Sequence, residues 1–168
     1  MKLEQPVLKR KYRYVVRYLD SYPLGMSYPD QVEKTCKTLS HPAFRKAKCG
    51  VDYTGVGRPV YDMLKVARPP VLLYPLLTTG GGNATYDPKT RELHVPKVDL
   101  VGNLQVLVYA KLVAWHEKLP LAAAFIEQLA RFERKQKGDT GNTRYNAATG
   151  AHDDLVSALM IACYIGEH

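Results

Sequence analysis

Apolar residues follow helical spacing in some stretches and form short unbroken runs in others, which divides the first half of the chain into helices and strands. Tyr12–Leu19 mixes aromatic, β-branched and basic residues, which is typical of a strand. A helix is predicted to start at Ser27, because Ser27 and Asp30 have capping spacing and Pro29 suits a first turn. A short strand is then expected to end at Asp52, before a glycine-rich turn.

The order of strand, helix and strand continues after that turn. Pro59 is predicted to open a helix, and Pro70–Leu77 has the continuous apolar character of a buried parallel strand. The segment "ATYDPKTRELHV" predicts a β-hairpin around Asp87–Pro88. Strands separated by helices in this way indicate an α/β fold.

Helical spacing dominates the second half of the chain. A long helix is predicted from Pro96 and another from Pro120, while Ala130–Lys137 fits either an alternating strand or the end of that second helix. A polar loop over residues 138–150 precedes a final helix. The positions expected to face the core are Val98, Val101, Gln105, Val108 and Leu112 in the first of these helices, and Leu155, Leu159 and Ala162 in the last.

Length and composition are those of one globular domain, which is expected to span residues 1–168. Of the 168 residues, 46% are hydrophobic and 24% are charged, and no repeat or interdomain linker interrupts them. The sequence has no run of 18 apolar residues and no secretory leader, so no transmembrane helix is expected. Three cysteines without C-x-x-C spacing favour a reducing, cytoplasmic environment.

The net charge of +8 changes this picture, because it favours a polyanionic partner. Nucleic acid is the first candidate and an anionic membrane is the second. Charge alone does not decide the partner, since many basic proteins bind no polyanion. The membrane is the weaker alternative, because no basic amphipathic helix with an aromatic face stands out.

Two adjacent carboxylates, Asp153 and Asp154, follow His152 at the start of the last helix. The helix dipole stabilises an acidic residue in the first turn, so capping accounts for one of the two. Two in tandem repel each other unless a cation lies nearby. A structural cap and a metal site therefore both remain open.

Asp52 is the second candidate, because α/β sheets form sites at the carboxyl ends of buried strands. The alternative is a turn residue that accepts hydrogen bonds from loop amides. The loop "DYTGVGRP" matches neither a Walker loop nor a G-x-G-x-x-G motif, which disfavours nucleotide binding.

The segments "VDYTGVGRPV", "VPKVDLV" and "GAHDDLVSAL", in this order, resemble the nuclease domain of the large terminase subunit of tailed phages and prophages. The similarity runs from about Lys11 to Tyr164. It implies a ribonuclease-H-like mixed sheet flanked by helices, with an inserted hairpin, in the cytoplasm of a bacterial host. It also implies a metal-dependent endonuclease that cuts double-stranded DNA during packaging, together with other terminase components and without a membrane.

The resemblance implies a site for two Mg²⁺ or Mn²⁺ ions, which prefer carboxylate oxygens. Asp52 and Asp154 would be the main ligands, with Asp153 beside them and His152 orienting a carboxylate. Contacts with DNA are expected from Lys97, Arg134, Lys135, Lys137 and Arg144. The basic run near residue 135 equally fits an edge strand protected against aggregation.

One part of the family's pattern is unmatched. The family's domain begins with two further strands, the first of which carries another aspartate ligand, whereas no Asp precedes Asp20 here. The resemblance therefore implies an absent central strand, unpaired neighbouring strands and a weakly held metal. Three explanations are open: a prophage remnant that binds DNA without cleaving it, strand exchange with a second copy, and residues 3–16 folding back into the gap.

Overall fold

The computed structural model describes residues 14–137 and 153–168, with the backbone alone for 133–137. Strands and helices alternate along most of the described chain, as an α/β fold requires. The strands are β1 (Tyr14–Val16), β2 (Lys48–Asp52), β3 (Leu72–Thr79), β4 (Thr85–Asp87), β5 (Glu92–Pro96) and β6 (Val113–Trp115). The helices are α1 (Tyr28–Leu39), α2 (Gly57–Ala67), α3 (Lys97–Tyr109), α4 (Ala122–Lys137) and α5 (Asp154–Glu167), with a 3₁₀ turn at Pro42–Phe44.

The described strands form two sheets. The larger one has the order β2-β3-β5-β4, in which β2, β3 and β5 are parallel and β4 runs antiparallel to β5. The smaller one is the parallel pair β1-β6. The predicted α/β class and the hairpin around Asp87–Pro88 are confirmed, since Tyr86 pairs with Leu93 across that turn.

Local sequence explains the two helices that flank β2. The Ser27 side chain caps α1 by accepting a hydrogen bond from the Asp30 amide, as the capping pattern predicts. Helix α2 begins at Gly57, two residues before the predicted start at Pro59, and ends at Arg68 in the left-handed region with φ 50°. Both helices thus begin close to the positions that their capping residues and prolines indicate.

The predicted inward stripe of α3 is partly confirmed, since Val101 is buried and Val108 and Leu112 pack against the core, but other positions form most of the buried face. The residues that the structure buries are Leu100, Val101, Leu104 and Leu107, whereas Val98 is 52% exposed. Leu100, Leu104 and Leu107 also follow helical spacing, at intervals of four and three residues. Two overlapping apolar stripes were therefore available, and packing against α5 and the sheet selects one. The helix ends at Tyr109, and Leu112 precedes β6, a strand of three residues that the pattern did not predict.

One strand assignment needs correction, and one alternative that the sequence left open is decided by the structure. The strand predicted over Tyr12–Leu19 is limited to Tyr14–Val16 within the described residues, because only these three pair with β6. Ala130–Lys137 is helical and completes α4, so its helical alternative is the correct one. The adjoining polar loop lies outside the described residues.

Helix α5 lies at the centre of the main core. Leu155 and Leu159 are buried as predicted, while Ala162 is exposed. The core cluster also contains residues of β3, β5, α3 and α4, among them Leu76, Val95, Leu104 and Phe125. Helix α5 contacts β2 as well as α3, so it connects the larger sheet to the helical part of the core.

None of the helices in the described part of the chain is long and apolar enough to cross a membrane.

Candidate active site

The candidate site lies where one face of β2 meets α5. Side chains alternate along a strand, so Lys48, Gly50 and Asp52 share a face. A Cβ atom at Gly50 would lie 2.5 Å from side-chain atoms of Ile161 and Ile165. Helix α5 therefore packs directly over the backbone of Gly50, and Lys48 and Asp52 lie on either side of that contact.

The strand and the helix run in opposite directions along this contact. The Lys48 ammonium donates a hydrogen bond of 3.2 Å to the carbonyl of Ile165, near the end of α5. At the other end, Asp52 and Asp154 line one cavity of about 450 Å³, which also extends back to Lys48. The fold thus brings together two of the three predicted carboxylates, from distant parts of the chain.

The position of Asp52 is determined by the loop that follows it. Its Oδ1 accepts a hydrogen bond of 2.8 Å from the Thr54 amide, and Thr54 Oγ1 accepts one of 3.0 Å from the Thr78 amide. A Cβ atom at Gly57 would collide with the Asp52 carbonyl oxygen, so only glycine lets the loop close. The turn interpretation of Asp52 is confirmed, and it leaves the carboxylate exposed at the cavity.

The start of α5 is capped from another helix. Asp153 is the N-cap residue, yet its side chain makes no capping hydrogen bond. The Leu155 amide instead donates to Oε1 of Gln128, on α4, over 3.0 Å. Asp154 lies in the first turn of α5, where the helix dipole stabilises a carboxylate, so the structural interpretation holds for one of the pair. The exposed Asp154 carboxylate also lies at the cavity, while Asp153 is half-buried outside its lining.

Lys97 lies at the same edge of the sheet as Asp52. Strands β2, β3 and β5 are parallel, so Asp52, Thr79 and Pro96 end at one edge and Lys97 follows directly as the first residue of α3. Lys97 is half-buried and does not line the cavity. Its place fits a contact with a ligand that extends beyond the cavity along this edge.

The other predicted site residues are less well described. Arg134, Lys135 and Lys137 belong to the last turns of α4, of which the structure gives the backbone alone. His152 and Arg144 lie outside the described residues. Among the described residues, the charged side chains that line the candidate site are Asp52, Asp154 and Lys48.

These residues fit one hard cation better than two. Among the described residues, no group of three or more His, Cys, Asp or Glu side chains is arranged to hold a metal ion. Mg²⁺, however, is usually bound by one or two carboxylates, keeps several waters and takes further oxygens from substrate phosphates. Asp52 and Asp154, both exposed at an open cavity, supply such a donor set.

Cysteine chemistry at this site is disfavoured. Cys36, Cys49 and Cys163 are all free thiols. Burial raises the pKa of Cys163 to about 12, and burial also raises the pKa of Cys49 on β2. Because the thiolate is the reactive form, neither thiol is prepared to act as a nucleophile near neutral pH.

A groove continues from the cavity across α5. A second cavity of about 300 Å³ lies between β1 and α5, and Ala158 and Ala162 line both cavities. Within the described chain, β2 pairs with β3 on one side only and β1 pairs with β6 alone. The groove is therefore bordered by two strand edges and has small side chains along its floor.

Two residues of this arrangement were missed by sequence reasoning. Lys48 shares the strand phase of Asp52, so period-2 alternation was a signal that could have found it. Gln128 gave no such signal, because its partner is the helix start 27 positions later in the chain. Only the packing of α4 against α5 makes it a cap.

Models of protein families, curated proteins and solved structures give no match to this chain. A proposal for its function therefore depends on the cavity and on the motifs that lead to it.

Proposed function

We propose that this protein is a metal-dependent DNA endonuclease of the kind found in the large terminase subunit, with a ribonuclease-H-like fold. The observation that carries the proposal is the convergence of Asp52 and Asp154 on one cavity. These are the two aspartates that the motifs "VDYTGVGRPV" and "GAHDDLVSAL" single out. Double-stranded DNA is the proposed substrate, and the net charge of +8 favours its binding.

Asp52 and Asp154 would hold Mg²⁺ or Mn²⁺, and Asp153 precedes Asp154 in the chain. A divalent cation bound there supplies an activated water and neutralises charge on the reacting phosphate. The turn at Thr54 keeps the Asp52 carboxylate in place, and the Gln128 cap fixes the first turn of α5, which carries Asp154. Lys97, at the same sheet edge, would contact the DNA backbone.

The arrangement of strands supports the proposal at the level of topology. In the family that the motifs resemble, a further strand with another aspartate would pair with the strand that carries Asp52. Among the described residues, no strand pairs with the outer edge of β2, and the groove over Ala158 and Ala162 runs beside it. This arrangement is compatible with a strand at that position. A second copy of the chain could place one of its own strands at that edge through strand exchange. The family's further aspartate would still be absent, because no Asp precedes Asp20 in the sequence.

A second candidate is a DNA-binding protein without cleavage activity. It is favoured by the finding that the described residues include no group of three metal-ligating side chains. Such a protein would bind DNA without sequence preference, through phosphate contacts that weaken steeply between low and moderate salt.

Nicking of supercoiled plasmid by the purified chain distinguishes the two candidates. We expect nicking with Mn²⁺ or Mg²⁺ and its loss with EDTA. Asp154→Asn should reduce the rate by about two orders of magnitude, since a metal ligand supports several kcal/mol of transition-state stabilisation. Asp62→Asn is the matched control, because Asp62 is exposed on α2 and does not line the cavity.

Salt-sensitive DNA binding without nicking by the wild-type chain would favour the second candidate. Equal nicking by the wild-type chain and Asp154→Asn would remove Asp154 from the catalytic site. Absence of DNA binding at low salt would exclude both candidates.

A further inference from the structure

A cavity rich in aromatic side chains adjoins the cavity that Asp52 and Asp154 line. It has a volume of about 400 Å³ and lies between the sheet, the β4–β5 hairpin and the last turn of α5. Its lining includes Tyr74, Tyr86 and Tyr164, together with His168 and Lys48. Lys48 and Ile165 line both cavities, so the two spaces meet at the basic end of β2.

Sheet register explains how the aromatic rings come together. Tyr74 lies opposite Gly50 on β3, and Tyr86 lies opposite Leu93 on β4. Tyr74 and Tyr86 therefore belong to the same four-stranded sheet as Lys48, which lies on its edge strand β2. Tyr86 is 50% exposed, so its ring is available to a ligand, whereas Tyr164 is buried.

A cation and a second aromatic pair complete this lining. The Lys48 ammonium lies 5.8 Å from the centre of the Tyr74 ring while it donates to the Ile165 carbonyl. An ammonium has three donors, so Lys48 keeps hydrogen-bonding capacity beyond that one contact. The rings of Tyr164 and His168 lie against each other with centres 4.4 Å apart.

Planar rings beside a lysine form a chemically specific combination. Aromatic side chains stack on nucleobases of any sequence, and a lysine ammonium binds phosphate as a point charge. A purely apolar ligand would leave the Lys48 charge unused, and a simple anion would leave the rings unused. A base together with its phosphate uses both.

We propose that this cavity binds an unpaired nucleobase and its phosphate, next to the position at which the strand would be cut. The proposal rests on the proposed function, since it names a feature of the substrate for the same site. Lys48 and Asp52 are four residues apart on β2, a span of roughly 13 Å at the rise of a β-strand. That distance corresponds to a few nucleotides of one strand.

The consequence for the substrate is that one base leaves the stack a few nucleotides from the cleavage site. Unstacking costs least at a strand end, a mismatch or a single-stranded region. DNA with an unpaired base near the cut should therefore bind more tightly than an uninterrupted duplex of the same length.

The direct test is binding of tetrathymidylate and of an abasic tetramer, measured by titration calorimetry in EDTA. We expect the wild-type chain to prefer tetrathymidylate, and Tyr86→Ala to weaken that binding about fivefold or more, as loss of one stacking partner does. Tyr86→Phe should retain the affinity, because it keeps the ring. Tyr109→Ala is the matched control, since Tyr109 is 66% exposed on α3 and lines neither cavity.

Lys48→Gln separates the phosphate contact from the base contact. It should weaken binding of both tetramers by a similar factor and reduce the dependence of affinity on salt. Equal affinity of the wild-type chain for both tetramers, or unchanged affinity in Tyr86→Ala, would overturn the proposal. EDTA prevents metal-dependent cleavage, so this measurement reports binding alone. The binding proposal can therefore fail while plasmid nicking succeeds, and nicking can fail while binding succeeds.

Discussion

The two ends of β2 differ in chemistry although they belong to one strand of five residues. At its carboxyl end, Asp52 meets Asp154 in an open cavity. At its amino end, Lys48 contacts the last turn of α5 and faces aromatic rings. Between them, Gly50 brings the helix against the strand.

This difference shows how one packing contact can serve two sites. The antiparallel arrangement of β2 and α5 places a lysine near the carbonyl end of the helix and carboxylates near its amino end. Each charge therefore lies at the end of the helix dipole that stabilises it. The close contact at Gly50 carries no chemistry itself, yet it determines the separation of both ends from α5.

The largest expected effect comes from changing that contact. Gly50→Val should destabilise the protein by about 3 kcal/mol, because the added atoms overlap Ile161 and Ile165 in a packed interface. Urea unfolding followed by circular dichroism measures the change. Gly80→Ala is the control, since a Cβ atom there has nothing within 4 Å. If both variants unfold at the same urea concentration as the wild-type chain, the result would contradict the close packing of α5 on β2.

A smaller effect is expected from cation binding at the acidic end. At a Mg²⁺ or Mn²⁺ concentration ten times the dissociation constant, binding should stabilise the protein by about 1.4 kcal/mol. This corresponds to a rise in melting temperature of roughly 3–5 °C for a chain of this size. Asp52→Asn should lose the rise and Lys48→Gln should keep it. An equal rise in Asp52→Asn would show that the cation binds elsewhere.

Variants of Gln128 test whether the start of α5, which carries Asp154, depends on α4. Gln128→Ala should cost about 1 kcal/mol, because the Leu155 amide loses its acceptor. Gln128→Glu keeps a side-chain oxygen at the same place and should retain wild-type stability. Chemical denaturation of both variants measures this difference. Equal stability of the two variants would mean that the interhelical cap contributes nothing.

The smallest expected effect concerns the basic end. Lys48→Met should lower stability by about 0.5 kcal/mol, since it removes a cation near the end of α5 and a hydrogen bond to Ile165. The loss should shrink at high salt, because Lys48 is exposed to solvent and its charge is screened by salt. Thermal melts at low and high salt provide the measurement. A salt-independent loss would indicate that packing of the lysine stem, and not its charge, is responsible.

Much of the fold was predictable from local patterns in the chain. The spacing of Ser27 and Asp30 predicts the N-terminal cap of α1. The unbroken apolar run predicts the parallel strand β3. The inward face of α3 was not predictable, because two apolar stripes overlap in its sequence and only contact with α5 chooses between them. Strand β6 was missed because three residues carry too little pattern.

The candidate site shows the same division. Adjacent acidic residues at a helix start and an aspartate at a strand end mark Asp154 and Asp52 as candidates in the sequence alone. Their meeting in one cavity is a property of the packing, because nothing in a local pattern specifies which strand a distant helix will cover. The cap and the aromatic cavity likewise arise from contacts between elements far apart in the chain, whereas the strand alternation could have indicated Lys48.

Local periodicity, capping residues and turn glycines thus specify which segments become helices and strands, since these depend on neighbours within a few positions. Tertiary packing alone decides that α5 lies over Gly50, that Gln128 caps it, and that Asp52 and Asp154 share a cavity. The physical reason is that these contacts depend on shape and burial across the core, and a one-dimensional pattern records neither.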